Sequence, residues 1–347
     1  MEFHAIGLMS GTSLDGLDIC FVKFRKEQSW TFQILKAETL PYSQHWETKL
    51  RNSFFLKAEE IFALNSEYGF YLGNRLKEFI ESNSLDNIDV IASHGHTVFH
   101  QPAKKVTLQI GDGRAIKILN DFPVVYDFRS QDVLRCGNGA PLVPIGDELL
   151  FSEFDACLNI GGFSNISFKE NGRRIAFDIC PVNIILNSFA KKVGFDFDEN
   201  GELAKGGIIN ETMLTVLNSL KYYKEAPPKS LGSEWVSEFI FPELKDEKPA
   251  NILATFTEHA AVQIAEVFNK YELKKVLFTG GGTYNTFLIE KIKSKTKTEI
   301  IIPENTLIDF KEALIFAFMG VLRVNNEINI LSSATGSSAD HCSGLLI

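Results

Sequence analysis

Asp178 stands near the end of an apolar run, Arg173-Arg174-Ile175-Ala176-Phe177-Asp178-Ile179, just ahead of Cys180-Pro181-Val182-Asn183. A carboxylate there has two uses. It can cap a helix opened by the proline, accepting the first free N–H groups, or it can look outward as a general base. Three clusters of small residues offer a partner chemistry. They are Ser10-Gly11-Thr12-Ser13-Leu14-Asp15-Gly16 with Leu17 and Asp18 behind it, Asn159-Ile160-Gly161-Gly162-Phe163-Ser164-Asn165, and Phe278-Thr279-Gly280-Gly281-Gly282-Thr283-Tyr284-Asn285. Small residues let backbone N–H groups approach a phosphate closely, and the N-terminus of a following helix favours an anion. Asp15 and Asp18 can hold a hydrated Mg²⁺, directly or through water. Gly, Ser and Asp also build ordinary turns, so each cluster alone is open to both readings. Three of them, each directly after an apolar β-type run, favour phosphate handling.

Commoner nucleotide signatures are missing. No G-x-x-x-x-G-K-[ST] occurs, and Gly137-Asn138-Gly139 lacks the third glycine of a dinucleotide fingerprint, which points away from P-loop and nicotinamide enzymes. The run His94-Gly95-His96-Thr97-Val98-Phe99-His100 invites a metal reading, because strand alternation sends His94 and His96 to one side. No acidic partner stands beside them, so hydrogen-bonding imidazoles are favoured over zinc. Arg129, in Tyr126-Asp127-Phe128-Arg129 with Asp132 following, suits either a surface ion pair or a bidentate contact to a ligand carboxylate.

These residues need a scaffold. A chain of 347 residues is long for one core, so two domains are expected. With 45% hydrophobic and 23% charged residues, the composition is that of a globular enzyme. A net charge of −9 argues against nucleic-acid binding. The opening MEFHAIGLMSGTS has no basic segment followed by a long apolar core, and the apolar stretch Ala313 to Leu322 is too short to span a bilayer. A membrane partner is therefore not expected. The five cysteines are odd in number and scattered, as in a reduced, cytoplasmic protein.

Three β-type runs, Phe3–Ser10, Leu17–Phe24 and Trp30–Thr39, open the chain as a meander. Helical periodicity follows over Glu59–Ser82, then strands at Ile88–Ser93 and Val106–Ile110, a helix at Gly113–Leu119 and a strand at Val124–Phe128. The second half repeats the theme: strands Ala156–Ile160, Ile166–Phe168 and Arg174–Ile179, then helices Val182–Lys192, Glu211–Leu220 and Thr257–Tyr271. Strand Lys275–Thr279, helix Tyr284–Lys295, strand Glu299–Ile302 and helix Lys311–Val324 complete it. The shared pattern predicts an α/β protein of two similar lobes, residues 1–125 with 325–347 and residues 126–324, facing each other across a cleft.

The sequence resembles the anhydro-N-acetylmuramic acid kinase family in order and spacing across nearly its whole length. The matching stretches include MSGTSLDGLD (Met9–Asp18), SHGHTVFHQP (Ser93–Pro102), TLQIGD (Thr107–Asp112) and DFRSQD (Asp127–Asp132). GAPLVP (Gly139–Pro144), LNIGGFSNIS (Leu158–Ser167), FD before PVN (Phe177–Asn183), PPKSLGSEW (Pro227–Trp235), TGGGTYN (Thr279–Asn285), EAL (Glu312–Leu314) and SATG (Ser333–Gly336) continue the series.

The resemblance implies two RNase H-like lobes of the actin-like ATPase superfamily. It implies that Gly11, Thr12, Ser13, Leu14, Asp15, Gly16, Leu17 and Asp18 form a first phosphate loop, and Gly161 and Gly162 a second. Gly280, Gly281, Gly282 and Asn285 fall on the adenosine side. ATP and Mg²⁺ are the implied cofactors, with Asp15 and Asp18 on the metal. Asp178 matches the family's catalytic aspartate, which activates water against the anomeric carbon of an anhydro sugar; the freed 6-oxygen then takes the γ-phosphoryl group. His94, Thr97, Arg129, Asn183 and Glu312 are the implied substrate contacts. The implied partner is a small-molecule sugar from peptidoglycan, with room for a homodimer. Four departures stand out, the first three of them on the sugar side. His96 replaces a Gln, Cys136-Gly137-Asn138-Gly139 a Gly-Gly-Gln-Gly, Ile179-Cys180-Pro181-Val182-Asn183 a Thr-Gly-Pro-Gly-Asn, and Ser233 an Arg. Losing two glycines beside Asp178 adds bulk, which is expected to narrow or reshape the sugar pocket. A kinase for another sugar and a non-catalytic sensor of the same fold are the alternatives.

Overall fold

A largely apolar run of nine residues opens the chain as β1 (Glu2–Ser10), which pairs antiparallel with β2 (Gly16–Lys26), and β2 with β3 (Trp30–Pro41). The meander lies where the apolar runs place it. A computed structural model describes residues 1–11, 14–244 and 247–347. Next come β4 (Val90–Ser93), β5 (His96–Gln101), β6 (Val106–Ile110) and β7 (Val124–Tyr126). Then follow β8 (Ala156–Ile160), β9 (Phe163–Glu170), β10 (Arg173–Pro181), β11 (Lys275–Thr279), β12 (Glu299–Ile301) and β13 (Leu345–Leu346).

The chain forms two compact units, Met1–Leu150 with Phe310–Ile347, and Phe151–Asp309. The units thus divide at 150 and 309, where the sequence reading divides at 125 and 324. Packing gives the reason for the later stretch. The helix Asn305–Val324 lies so close on β1 that a Cβ on Gly7 would come 1.9 Å from the Ala313 carbonyl oxygen. Its apolar face therefore belongs with the first sheet.

In the first unit the sheet order is β13-β7-β4-β1-β2-β3, with β4 and β7 parallel to β1 and to each other. Ile6, Leu8, Leu17, Ile19 and Phe21 join Tyr68, Leu72 and Leu76 of the helix Ala58–Ser82 in one core. On the opposite face Phe24 meets Phe318, ring centroids 5.2 Å apart. In the second unit the order is β10-β9-β8-β11-β12, again three antiparallel strands followed by two parallel ones. Its core gathers Leu158, Ile166, Phe168 and Phe177 with Ile185 and Phe189 of the helix Asn183–Lys191, and with Phe256, Ile264 and Phe268 of the helix Pro249–Lys270. From the meander's last strand both sheets read 3-2-1-4-5, the first carrying β13 as a sixth strand antiparallel to β7 at its far edge. This is the RNase H-like order, present twice, and the chain is an α/β protein of the actin-like class.

Candidate active site

The turn after β1 holds Gly11, Leu14 and Asp15; Thr12 and Ser13 lie outside the described residues. Leu14 takes a left-handed backbone (φ 63°), and its N–H reaches the Gly11 carbonyl at 3.4 Å. The side chains of Leu14 and Leu17 are buried in the first core, so any ligand contact they make is through backbone. Gly16 is set by packing, since a Cβ there would sit 2.7 Å from the Leu40 carbonyl oxygen of β3. Asp15 is exposed, and Asp18 accepts from the Thr39 hydroxyl at 2.6 Å. Two carboxylates flanking a small-residue turn suit a cation that takes its other ligands from water and phosphate. Among the described residues no cluster of three or more His, Cys, Asp and Glu could hold a metal by itself.

Beyond β4 the histidines are fully engaged in the first unit. Arg129 Nε donates to His94 Nε2 at 3.0 Å, so His94 carries its proton on Nδ1 and donates it to the Gly95 carbonyl at 2.9 Å. Burial, then the Arg129 charge, holds His94 well below its ordinary range. Arg129 Nη1 also donates to the Gly139 carbonyl at 2.5 Å, and burial lowers its own pKa to about 10. Glu312 is solvent-exposed and within electrostatic reach of Arg129 and Asp18. Thr97 accepts from Gln109 Nε2 at 3.3 Å. Buried Asp132 organises the neighbouring loop, accepting from the Gly139 N–H at 2.7 Å and the Thr335 hydroxyl at 2.8 Å. The Asp132 role had no signal in spacing.

His96 belongs to a different network. Tyr42 donates to Ser10 Oγ at 2.8 Å, Tyr68 lies 2.6 Å from the Tyr42 hydroxyl, and Ser10 Oγ is 3.2 Å from His96 Nδ1. Burial lowers His96 to about 4, so it is a neutral imidazole.

In the second unit Asp178 lies in β10, beside the bulge that shifts register between Asp178 and Cys180. It does not cap the next helix. That helix starts at Asn183 after Val182, with no side-chain cap, whereas the Asp178 carboxylate accepts the Leu231 N–H at 2.8 Å. Burial raises its pKa, and the Leu231 bond opposes the rise. The turn Gly161–Gly162 is fastened to the same junction. The N–H groups of Val182 and Ile184 bond the Gly162 carbonyl at 2.8 and 3.2 Å, and that of Asn183 bonds the Gly161 carbonyl at 3.2 Å. Asn183 is thereby held on the glycine turn, just past the end of the strand that carries Asp178. A Cβ on Gly162 would meet nothing nearer than Ile184 at 3.9 Å, so packing does not require glycine there.

The substitutions beside Asp178 do not narrow a pocket. Cys180 and Val182 are both 0% exposed and belong to the core; Cys180 Sγ lies 3.2 Å from Ser164 Oγ. Their added bulk points inward.

The third cluster divides by cause. Gly280 has φ 83°, and a Cβ there would strike the Ile160 carbonyl oxygen at 2.8 Å; on Gly282 it would strike Ile160 Cγ2 at 2.3 Å. Gly281 is exposed with nothing within 4 Å of a Cβ, which leaves its backbone open to close approach. Asn285 caps the helix Thr286–Lys293, accepting the Leu288 N–H at 3.0 Å. Tyr284 donates to Asp309 at 2.8 Å.

Among the described residues no helix is long and apolar enough to cross a membrane. A relative from Francisella tularensis subsp. novicida (strain U112), named anhydro-N-acetylmuramic acid kinase, is 35% identical over 366 residues, covering 97% of this chain and 96% of its own. One of the same name from Bacillus thuringiensis subsp. konkukian (strain 97-27) is 32% identical, covering 96% of each. Component A of the Acidaminococcus fermentans (R)-2-hydroxyglutaryl-CoA dehydratase superposes on 93% of this chain and 99% of its own, at 12% identity and a TM-score of 0.48. A family model described as anhydro-N-acetylmuramic acid kinase matches residues 3–347. With that match over residues 3–347 and the two kinases at 35% and 32% identity, the chain belongs to the anhydro-N-acetylmuramic acid kinase family.

Proposed function

We propose that this protein is an ATP-dependent sugar kinase. It opens 1,6-anhydro-N-acetylmuramic acid by hydrolysis and phosphorylates the 6-oxygen, giving N-acetylmuramic acid 6-phosphate in the recycling of cell-wall sugars. Asp178 carries the reading. Its carboxylate has one oxygen on the Leu231 N–H and a pKa raised by burial, and its strand runs on into the Val182–Ile184 junction that bonds the glycine turn Gly161–Gly162. A carboxylate of raised pKa is the better base near neutrality, provided it stays ionised.

In this mechanism Asp178 takes a proton from water as the water oxygen bonds C1 and the C1–O6 bond breaks. The released O6 attacks the γ-phosphorus of ATP in line, and ADP leaves. Gly161, Gly162 and Gly281 let backbone approach the nucleotide, joined by the turn Gly11–Asp18; Asn285 fixes the helix behind Gly281. His94, Thr97, Arg129, Asn183 and Glu312 are assigned to the sugar, with Arg129 suited to its lactyl carboxylate. Asp15 and Asp18 would hold Mg²⁺, which neutralises charge on the phosphates when bound. The five cysteines, all free, fit a cytoplasmic enzyme.

ADP release measured over a panel of anhydro and ordinary amino sugars tests the assignment. Turnover is expected with 1,6-anhydro-N-acetylmuramic acid. Asp178→Asn should lose about 10²–10⁴-fold in turnover while MgATP affinity changes by less than about twofold. Turnover confined to an ordinary hexose would replace the acceptor, and tight binding of sugar without turnover would make the protein a sensor.

A further inference from the structure

Asp178 is gripped by a segment far from it in sequence. Its main-chain N–H bonds the Lys229 carbonyl at 3.3 Å, its carbonyl accepts the Tyr222 hydroxyl at 2.6 Å, and its carboxylate Oδ2 accepts the Leu231 N–H at 2.8 Å. The segment is braced internally. Lys229 Nζ donates to the Tyr222 carbonyl at 2.9 Å and lies 4.4 Å from the centroid of the Tyr222 ring. That ring is almost wholly buried and packs against Trp235 at 5.3 Å.

The neighbouring residue anchors the segment to the second core. His259, fully buried, lies 2.7 Å through Nδ1 from Asn218 Oδ1 and 2.9 Å through Nε2 from the Tyr223 hydroxyl. Asn218 Oδ1 can only accept, so Nδ1 bears the proton and Nε2 accepts from Tyr223. Gln263 donates to the same Asn218 oxygen at 3.0 Å. Every bond in the chain has a defined direction, and the Tyr222–Tyr223 pair is thereby held at a fixed place on the helix Pro249–Lys270.

The geometry points to Tyr222 as the positioning residue of this centre: by holding the Asp178 carbonyl it keeps the bulged strand against Lys229–Leu231, so that Oδ2 stays on the Leu231 N–H and Oδ1 is the oxygen offered to water. The inference rests on Asp178 being the base. It assigns the two carboxylate oxygens different work, one as a fixed anchor and the other as proton acceptor. Tyr222 itself touches no reacting atom.

Tyr222→Phe removes the hydroxyl and keeps the ring, so packing against Trp235 survives. Turnover should fall about 10- to 100-fold, the scale of a misplaced catalytic group, while KM for MgATP stays within about twofold. In an Asp178→Asn background the same change should alter residual turnover by less than about twofold, because the carboxylate that it aims is gone. A loss of equal factor in both backgrounds, or full turnover in Tyr222→Phe, overturns the inference. Near-parental turnover in Asp178→Asn alone would instead remove Asp178 as the base, whatever Tyr222 does. If Tyr222→Phe shows no cooperative melting transition, Lys229→Met, which frees the Tyr222 carbonyl, is judged by the same cycle.

Discussion

Within Gly280-Gly281-Gly282 the three positions carry glycine for different physical reasons, and a single added methyl group separates them. Gly280 needs its positive φ, and Gly282 is pressed against Ile160, whereas Gly281 meets neither constraint. Gly281→Ala should therefore leave the melting temperature unchanged or slightly higher, since alanine lowers the entropy of the unfolded chain by about 0.4–1 kcal/mol. If the nucleotide comes close to that backbone, the same substitution weakens MgATP binding by about tenfold or more, equivalent to about 1.4 kcal/mol. Gly282→Ala should do the reverse, costing about 1–3 kcal/mol of stability through overpacking. Calorimetric binding and thermal melts on the pair check both halves, and unchanged MgATP affinity in Gly281→Ala would remove that glycine from the nucleotide site.

At the scale of elements, the meanders were legible because β1–β3 and β8–β10 are apolar runs interrupted by small residues. The clamp on Asp178 was not. Tyr222 and Leu231 lie 44 and 53 positions beyond it and meet it only through tertiary packing, which no local periodicity encodes. The strand β5 was hidden by its own polarity, His96–Gln101, and by Gly95, whose φ of 73° turns the chain before it. The helix Pro249–Lys270 starts well ahead of the expected Thr257, with Pro249 in its first turn. That helix carries His259, lowered by burial to about 3, while His94 and His96 beside β4 are lowered in the same sense. In the unfolded chain each titrates near 6.5. Below that value the unfolded state binds protons that the native state refuses, so their stabilisation is complete above about pH 6.5 and is lost as pH falls toward 4. The loss should approach about 1.4 kcal/mol per histidine per pH unit, or about three protons taken up on unfolding near pH 5. Denaturant titrations at pH 7, 6 and 5 read this directly; stability that stays flat over that range would contradict neutral burial.

For the whole molecule, the two units differ in how the chain builds them. The first is assembled from two separate stretches, the second from the single stretch Phe151–Asp309. The second also owns a complete core, drawn from β8–β12 and the helices Asn183–Lys191 and Pro249–Lys270. A domain with its own core and one continuous chain is able to fold alone. Residues 151–309 expressed separately should melt in one cooperative transition, with helix and strand signals lost together. A fragment that melts without cooperativity would show that this core depends on the remaining chain. Repetition of one sheet order also explains why glycine clusters recur in the sequence: each follows the C-terminal end of a strand at or beside the sheet centre, after β1, β8 and β11.

The bonds from Val182, Asn183 and Ile184 to the Gly161–Gly162 carbonyls make those three amides a local clock. Their protons can be lost to solvent only when the turn parts from the strand-to-helix junction, so their exchange rates time that opening. A nucleotide that holds the turn should lengthen the interval, and deuterium uptake at residues 182–184 should slow with MgATP while amides of the core strand β9 keep their pace. Equal uptake with and without MgATP would mean that the turn feels no phosphate.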